Sequence, residues 1–381
     1  MYVEQVKALL SKTPASEPIA SEGWTSENAR RSSRKFNASV HGLRGLAALS
    51  VFVFHTIFQI QFTAPFPVAL EATLGSLRSG VQLFFMISGY LITGSIIRHA
   101  NVRAFLLDRV ARIYPVFLFI HLLLFALAPV MEKWVLKDGL GMWFVHFFCN
   151  LFLLSTIFKM PLVQPYAWTL TVEGIFYLVC AAVYGLWPRM RTLAVVTLLV
   201  APAALTVYYP PFVFFDVGVL IFFLIHRDKK VRSAGLPRVG LVGFPIFVAI
   251  MGYALLPGHL YASLLAVPFG FAFFLDVVRQ TPFIAGFLTS GFMQFFGTIS
   301  YSLYLWHPVI TIPLKHVAAK ILIGRFGMST TEVSVILVVT SVAVTVPVSW
   351  LSWRVLDVEG GRWAKAKFKR FEDPTPGPTV G

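Results

Sequence analysis

Three uninterrupted apolar runs, residues 192–209, 239–257 and 333–353, each approach the length a helix needs to cross a bilayer. Roughly 20 residues suffice, at a rise of about 1.5 Å per residue. Inside hydrocarbon no water pairs with backbone N–H and C=O groups, so a crossing segment is a helix or a strand of a closed barrel. The runs lack the period-two alternation of a barrel wall, and helices are expected. Composition agrees. Of 381 residues, 57% are hydrophobic and 13% charged, against roughly a quarter charged in a soluble domain. The chain is too poor in charge to cover a water-facing surface.

Candidate spans are 44–63, 81–98, 113–131, 169–187, 192–209, 212–226, 239–257, 260–278, 296–314 and 333–353. A further apolar piece, 142–158, is ambiguous, and the placement of Lys and Arg decides it, because these residues accumulate in cytoplasmic loops. If 142–158 does not cross and the N-terminus is inside, only Arg78, Lys133, Lys137, Lys159, Lys315, Lys320 and Arg325 fall outside. If it crosses, the basic 227–238 loop and the basic tail are exported. The expected architecture is therefore an all-α, polytopic membrane helix bundle. It has about ten transmembrane helices, cytoplasmic N- and C-termini, and 142–158 as a re-entrant or interfacial segment. The divisions are 1–40 as a cytosolic, flexible N-terminal segment, 41–358 as the membrane domain and 359–381 as a cytosolic tail. The polar first 40 residues lack the pattern of a cleavable signal peptide.

The net charge of +15 fits inner loops facing anionic membrane lipid. The basic residues are spread as loop anchors and form no single patch, so nucleic acid is not an expected partner. Cys149 and Cys180 sit in apolar surroundings and read as packing residues. No metal cluster is evident, and the oligomeric state is not legible.

Polar groups within spans are costly, and that is where chemistry is sought. Arg44 and His55 are eleven residues apart, which returns to within about 20° of one helix face and about 16 Å along the axis. Arg44 then lies at the inner interface and His55 near the midplane on the same face. Separately, each reads as an anchor or a packing residue; together they form a polar track. Phe84, Phe85, Ser88 and Gly89 read as close helix packing. Arg109 and Arg112 are helix neighbours at an inner mouth, and paired guanidinium forks suit phosphate. Glu173, in Trp168-Thr169-Leu170-Thr171-Val172-Glu173, is a carboxylate one turn inside a span and needs a partner such as a histidine. His307, in Ser300-Tyr301-Ser302-Leu303-Tyr304-Leu305-Trp306-His307-Pro308, lies at a depth comparable with His55. His121, His146, His226, His259 and His316 lack such company.

These five stretches, in this order, resemble the acyltransferase 3 family of membrane O-acyltransferases, over about residues 39–358. The family's Arg-then-His falls on Arg44 and His55, and its Ser-Gly motif on Ser88 and Gly89. Its Arg-x-x-Arg falls on Arg109 and Arg112, its Trp-to-Glu motif on Trp168 to Glu173, and its last motif on Ser300 to His307. His41 stands where members often have an acidic residue, and their late Glu-x-Pro appears as Asp357-Val358-Glu359. Some relatives carry an extracytoplasmic hydrolase-like domain that this sequence lacks, which implies a stand-alone transferase or one that recruits a partner.

The resemblance implies transfer of an acyl group, most often acetyl, from acetyl-CoA (acyl-CoA) to a hydroxyl of a glycan or glycolipid at the inner, cytoplasmic membrane, without a metal. Arg44, Arg109 and Arg112 would hold the donor. His55 would be general base or transient acyl carrier, with Glu173 and His307 assisting. Ser88, Trp168, Ser300 and Tyr301 would bind substrate or support the fold. Two rivals remain: a proton-coupled transporter of a glycan or small metabolite, and a non-catalytic scaffold of a polysaccharide machine.

Overall fold

A computed structural model describes residues 37–59, 68–128, 139–227 and 239–372. Most of the expected N-terminal segment, the basic stretch 228–238 and the end of the tail from 373 lie outside the described residues. Every regular element among those described is helical. The order is α1 (Ala38–Gln59), α2 (Val68–Gly75), a 3-10 turn (Ser76–Ser79), α3 (Gly80–His99), α4 (Val102–Leu127), α5 (Gly139–Leu151), α6 (Trp168–Leu186), α7 (Arg191–Tyr208) and α8 (Val213–Arg227). Then come α9 (Val239–Ala254), α10 (Val267–Arg279), α11 (Pro282–Leu288), α12 (Gly291–Ala318), α13 (Thr330–Ser352), a π-helical stretch (Trp353–Gly360) and α14 (Gly361–Glu372).

Eight continuous helical stretches among the described residues are long and apolar enough to cross a membrane, when the 3-10 turns Pro210–Phe212 and Leu260–Ala266 are joined to α8 and α10. A ninth arises if α11 and α12 with its extension, bent by 63°, form one span. The chain is thus a multi-pass membrane protein, with one span fewer than the ten expected. The difference is α9, expected over 239–257, which ends at Ala254 after 16 residues. Pro257 and then Gly258 follow, and Gly258 has φ +84, a conformation that excludes further helix. The ambiguous 142–158 piece forms the 13-residue α5, too short to cross alone.

The described chain divides into two compact units. In the first (up to Leu46, Gln82–Val102 and Ala182–Gly297), α3 and α8 meet through glycine. A Cβ on Gly89 would stand 2.1 Å from the Phe215 carbonyl oxygen, and one on Gly218 2.1 Å from that of Met86. The backbones touch because no side chain holds them apart, and Phe85 stacks on Phe215 with centroids 4.4 Å apart. Close approach recurs between α1 and α12, where a Cβ on Gly297 would lie 2.3 Å from the His41 carbonyl oxygen. Helix α7 is bare along Val196, Leu199, Val200 and Val207, as on a face turned to lipid.

The second unit comprises Ala47–Val81, Arg103–Ala181 and the described chain from Thr298. Here α12 is gripped from two sides. Tyr301 Oη donates to the Ile113 carbonyl of α4 at 2.7 Å, and the Tyr304 and Thr169 hydroxyls are 2.9 Å apart, linking α12 to α6. Between α5 and α6 the chain turns back into this unit. Asn150 ties the end of α5 to the returning segment, donating to the Pro161 carbonyl at 3.2 Å and accepting from Val163 N at 3.0 Å. Gln164 is buried and donates to the Leu305 carbonyl at 3.1 Å. Ser155 and Ala167 are buried as well. The segment packs into the unit on this side, and its other side stays exposed at Phe152, Ile157 and Phe158. α6 consequently starts level with Tyr304.

Candidate active site

His55 on α1 and His307 on α12 are 252 positions apart in sequence, yet His55 Nδ1 lies 3.0 Å from His307 Nε2. His307 is fully buried, and its Nδ1 donates to the Leu303 carbonyl at 3.1 Å. Pro308 explains why polar backbone is at hand: without an N–H it leaves the Tyr304 carbonyl undonated, and that carbonyl is also within hydrogen-bonding reach of the ring.

The bonding fixes both tautomers. A carbonyl only accepts, so His307 Nδ1 carries hydrogen and, in the neutral ring, Nε2 offers a lone pair. His55 Nδ1 must then donate, leaving the lone pair of His55 on Nε2. Among the described residues no hydrogen bond occupies that nitrogen, and His55 is only half-buried. The pair therefore presents one basic nitrogen with its orientation set from a helix backbone.

Aromatic rings hold the imidazoles in place. The two histidine rings are nearly coplanar, at 9°. Tyr166 stacks on His55 at 3.9 Å and lies parallel to His307 at 5.2 Å. Phe54 meets the edge of His55 at 5.0 Å, and Tyr304 meets His307 edge-on at 5.8 Å. Arg78, in the 3-10 turn, extends over the Phe54 ring at 5.3 Å, and its charge acts on His55.

A second cluster gathers the charged motifs. Tyr177 Oη donates to Glu173 Oε1 at 2.5 Å, one helical turn along α6. The charges of Glu173, Arg109 and Arg112 act on Tyr177, while those of Glu173, Asp357 and Arg112 act on Tyr301. Asp108 binds Arg109 and also Lys365 of α14, the latter at 2.6 Å. Asp108 thus pairs with Arg109 and Lys365, while Glu173 and Asp357 act in the same cluster as Arg112. Arg112 is exposed and Arg109 half-buried.

The structure thus brings together His55 with His307, and Glu173 with Arg109, Arg112 and Tyr301. Glu173 was expected to need a partner such as a histidine. Because α6 begins level with Tyr304, its second turn carries Glu173 toward the arginines, and Tyr177 supplies a hydrogen-bond donor. Trp168 opens α6 half-buried, and Ser300 is fully buried beside Tyr301. Arg44 and Ser88 belong to the first unit. Sequence reasoning missed Tyr166, Arg78, Tyr177 and Lys365. Only Tyr177 left a signal, four residues after Glu173 on the same helix face. Among the described residues no group of three His, Cys, Asp or Glu could hold a metal ion.

Against known proteins, the family model described as an acyltransferase domain matches residues 37–354. The chain belongs to the acyltransferase 3 family. Membership is what the five motifs implied, and it spans both units. Among its relatives are Nodulation protein 10 of Rhizobium leguminosarum bv. viciae, 28% identical over 210 residues, covering 46% of this chain and 53% of the relative. Another is Peptidoglycan O-acetyltransferase OatA of Listeria monocytogenes, 23% identical over 336 residues, covering 74% and 50%. A third is Acyltransferase MdmB of Streptomyces mycarofaciens, 33% identical over 165 residues, covering 40% and 39%. This acyltransferase-family chain therefore spans about half, or less, of the length of the relatives it matches. No solved structure matches it significantly.

Proposed function

We propose that the chain transfers an acyl group, most often acetyl, from acyl-CoA to a hydroxyl of a glycan or glycolipid at the cytoplasmic membrane, with His55 as general base. The observation that carries this reading is His55 Nε2, the one ring nitrogen of the pair without a hydrogen bond among the described residues, directed by a buried partner whose own tautomer a backbone carbonyl sets. A transporter relay needs no such fixed direction. The relatives' names point the same way, one of them specifying O-acetylation of peptidoglycan.

The acceptor hydroxyl gives its proton to His55 Nε2 as its oxygen attacks the acyl carbon. His307 Nε2 accepts from His55 Nδ1–H throughout and stabilises the imidazolium, the part that the third member plays in a hydrolase triad. The proton then passes to the departing sulfur. His55 is thus favoured as base over acyl carrier.

Acyl-CoA is a co-substrate that delivers the acyl group as a thioester. The neighbouring guanidinium forks of Arg109 and Arg112 suit its phosphates. Arg109 and Arg112 would bind them, with Arg44 contributing from the cytosolic face if both termini lie inside. Glu173, held by Tyr177, would position those arginines. Trp168, Ser300 and Tyr301 would support the walls of the site, and Ser88 the packing of the first unit.

Purified protein given radiolabelled acetyl-CoA and a glycan extract should transfer label to glycan, and His55→Ala should abolish transfer. A transporter or a scaffold would transfer none. Full transfer by His55→Ala would overturn the assignment of the base.

A further inference from the structure

The Tyr166 ring is stacked on His55 at 3.9 Å, within 19° of parallel, yet Tyr166 belongs to no regular helix. A ring carried on a turn tips away unless its backbone is held. Two hydrogen bonds bracket it, and both run to α12, the helix of His307. Two residues before the ring, Gln164 Nε2 donates to the Leu305 carbonyl at 3.1 Å. On its other side, the Tyr166 carbonyl accepts from Tyr304 Oη at 3.3 Å. That carbonyl also accepts from Thr169 N–H at 3.3 Å and Thr169 Oγ1 at 3.1 Å, but these local bonds shape only the turn into α6. The Thr169 and Tyr304 hydroxyls are 2.9 Å apart, so Tyr304 stays tied to this turn whichever of them donates. The helix that fixes the His307 ring therefore also fixes the ring stacked on His55. Gln164 is buried, and its Oε1 has no hydrogen-bond partner among the described residues. A half-paired buried amide is a poor choice for stability alone.

The stack matters most after His55 takes the acceptor's proton. An aromatic face attracts a cation through its quadrupole, so it holds an imidazolium more strongly than a neutral imidazole. Only that gain, present while His55 carries the proton, raises the maximal rate, and it leaves donor binding alone.

We propose that Tyr304 and Gln164 are positioning residues that pin the Tyr166 ring against His55, so that its π face steadies the imidazolium during acyl transfer. The proposal rests on His55 acting as base.

The test uses native membranes carrying the full chain, which supply their own acceptor, and radiolabelled acetyl-CoA over a range of concentrations. Tyr304→Phe keeps the ring and the carbonyl beside His307 and loses only the hydroxyl. It is expected to lower the saturating rate of label transfer about three- to tenfold, the equivalent of one weakened cation–ring contact. The half-saturating acetyl-CoA concentration should not change. Gln164→Met, similar in volume but without the donor, should lose about as much. Each substitution should cost the same fold in a Tyr166→Phe background, which keeps the ring, and nothing further in Tyr166→Ala, which lacks it. A wild-type saturating rate in Tyr304→Phe, with His55→Ala inactive, overturns the proposal. So does an undiminished loss in the Tyr166→Ala background, which would mean that the two residues do not act through the ring. A raised half-saturation at an unchanged maximal rate also overturns it. If Tyr304→Phe does not accumulate, a wild-type rate in Gln164→Met overturns the proposal. Full transfer by His55→Ala instead overturns the underlying assignment of the base.

Discussion

Replacing His307 tests whether the buried ring acts through His55 or merely fills space. In the structure its Nε2 accepts the only hydrogen bond that His55 Nδ1 makes among the described residues. That bond joins two neutral rings before reaction, and a neutral acceptor to a cation once His55 is protonated. A bond of the first kind contributes about 0.5–1.5 kcal/mol and one to a charged group about 1.5–3 kcal/mol. Only the difference accelerates the reaction, about 1–2 kcal/mol, or roughly 5–30-fold at 1.36 kcal/mol per decade. Losing the tautomer lock adds a factor of a few, because either nitrogen of an unpaired neutral imidazole then carries the proton. His307→Ala should therefore lower the saturating rate of label transfer from acetyl-CoA by about 10–100-fold. His55→Ala, which removes the base itself, should cost about 10²–10⁴-fold. His307 is fully buried, so alanine also leaves a cavity. His307→Gln is the companion variant, since its carboxamide oxygen accepts from His55 while its NH₂ donates to the Leu303 carbonyl, and it should retain rate to within about tenfold. An unchanged rate in His307→Ala, in protein that unfolds at the wild-type temperature, would refute the relay. A greater loss in His307→Ala than in His55→Ala would mean that the base had been misassigned between the two rings.

Other outcomes follow from the same geometry. Tyr166→Phe should keep near-normal transfer, whereas Tyr166→Ala, losing a stack worth about 0.5–1.5 kcal/mol, should slow it a few-fold to tenfold in the same assay. Replacing Arg109 and Arg112 together by alanine should raise the half-saturating acetyl-CoA concentration, and Lys365→Ala should raise it less, since that amine is mostly exposed. Gly89→Ala should lower thermal stability in detergent by about 1–3 kcal/mol through overpacking against Phe215. Gly174→Ala, where the added carbon meets open space, should be neutral or stabilising by up to about 1 kcal/mol.

The helical, multi-pass architecture was legible because length and apolarity alone dictate it in hydrocarbon, and eight of the expected spans appear as continuous helical stretches of sufficient length. Both histidines were legible as polar groups at similar depth on their helices. Their pairing was not, because helix periodicity cannot report which faces of two helices 252 residues apart will meet. Tyr166 was invisible for another reason: it lies in a non-helical return segment, where no periodic pattern marks an inward face. Arg78 looked like one more charge outside the spans, since a count of Lys and Arg by loop ignores where a long side chain reaches. Glu173 was recognised as a carboxylate needing a partner, but its partner follows from how deep α6 starts, which the return segment decides.

That return segment also sets an order of assembly. Gln164 hydrogen-bonds to the Leu305 carbonyl, 141 residues further on. A ribosome adding about 5–20 residues per second delivers that carbonyl only after roughly 7–30 s. Until then Gln164 lacks the acceptor that anchors the segment around Tyr166. The histidine pair, split between an early helix and a late one, likewise exists only after that delay. Acyl transfer that depends on this pair would therefore need the chain through α12, and any fragment ending before α12 should leave the 152–167 segment open to protease.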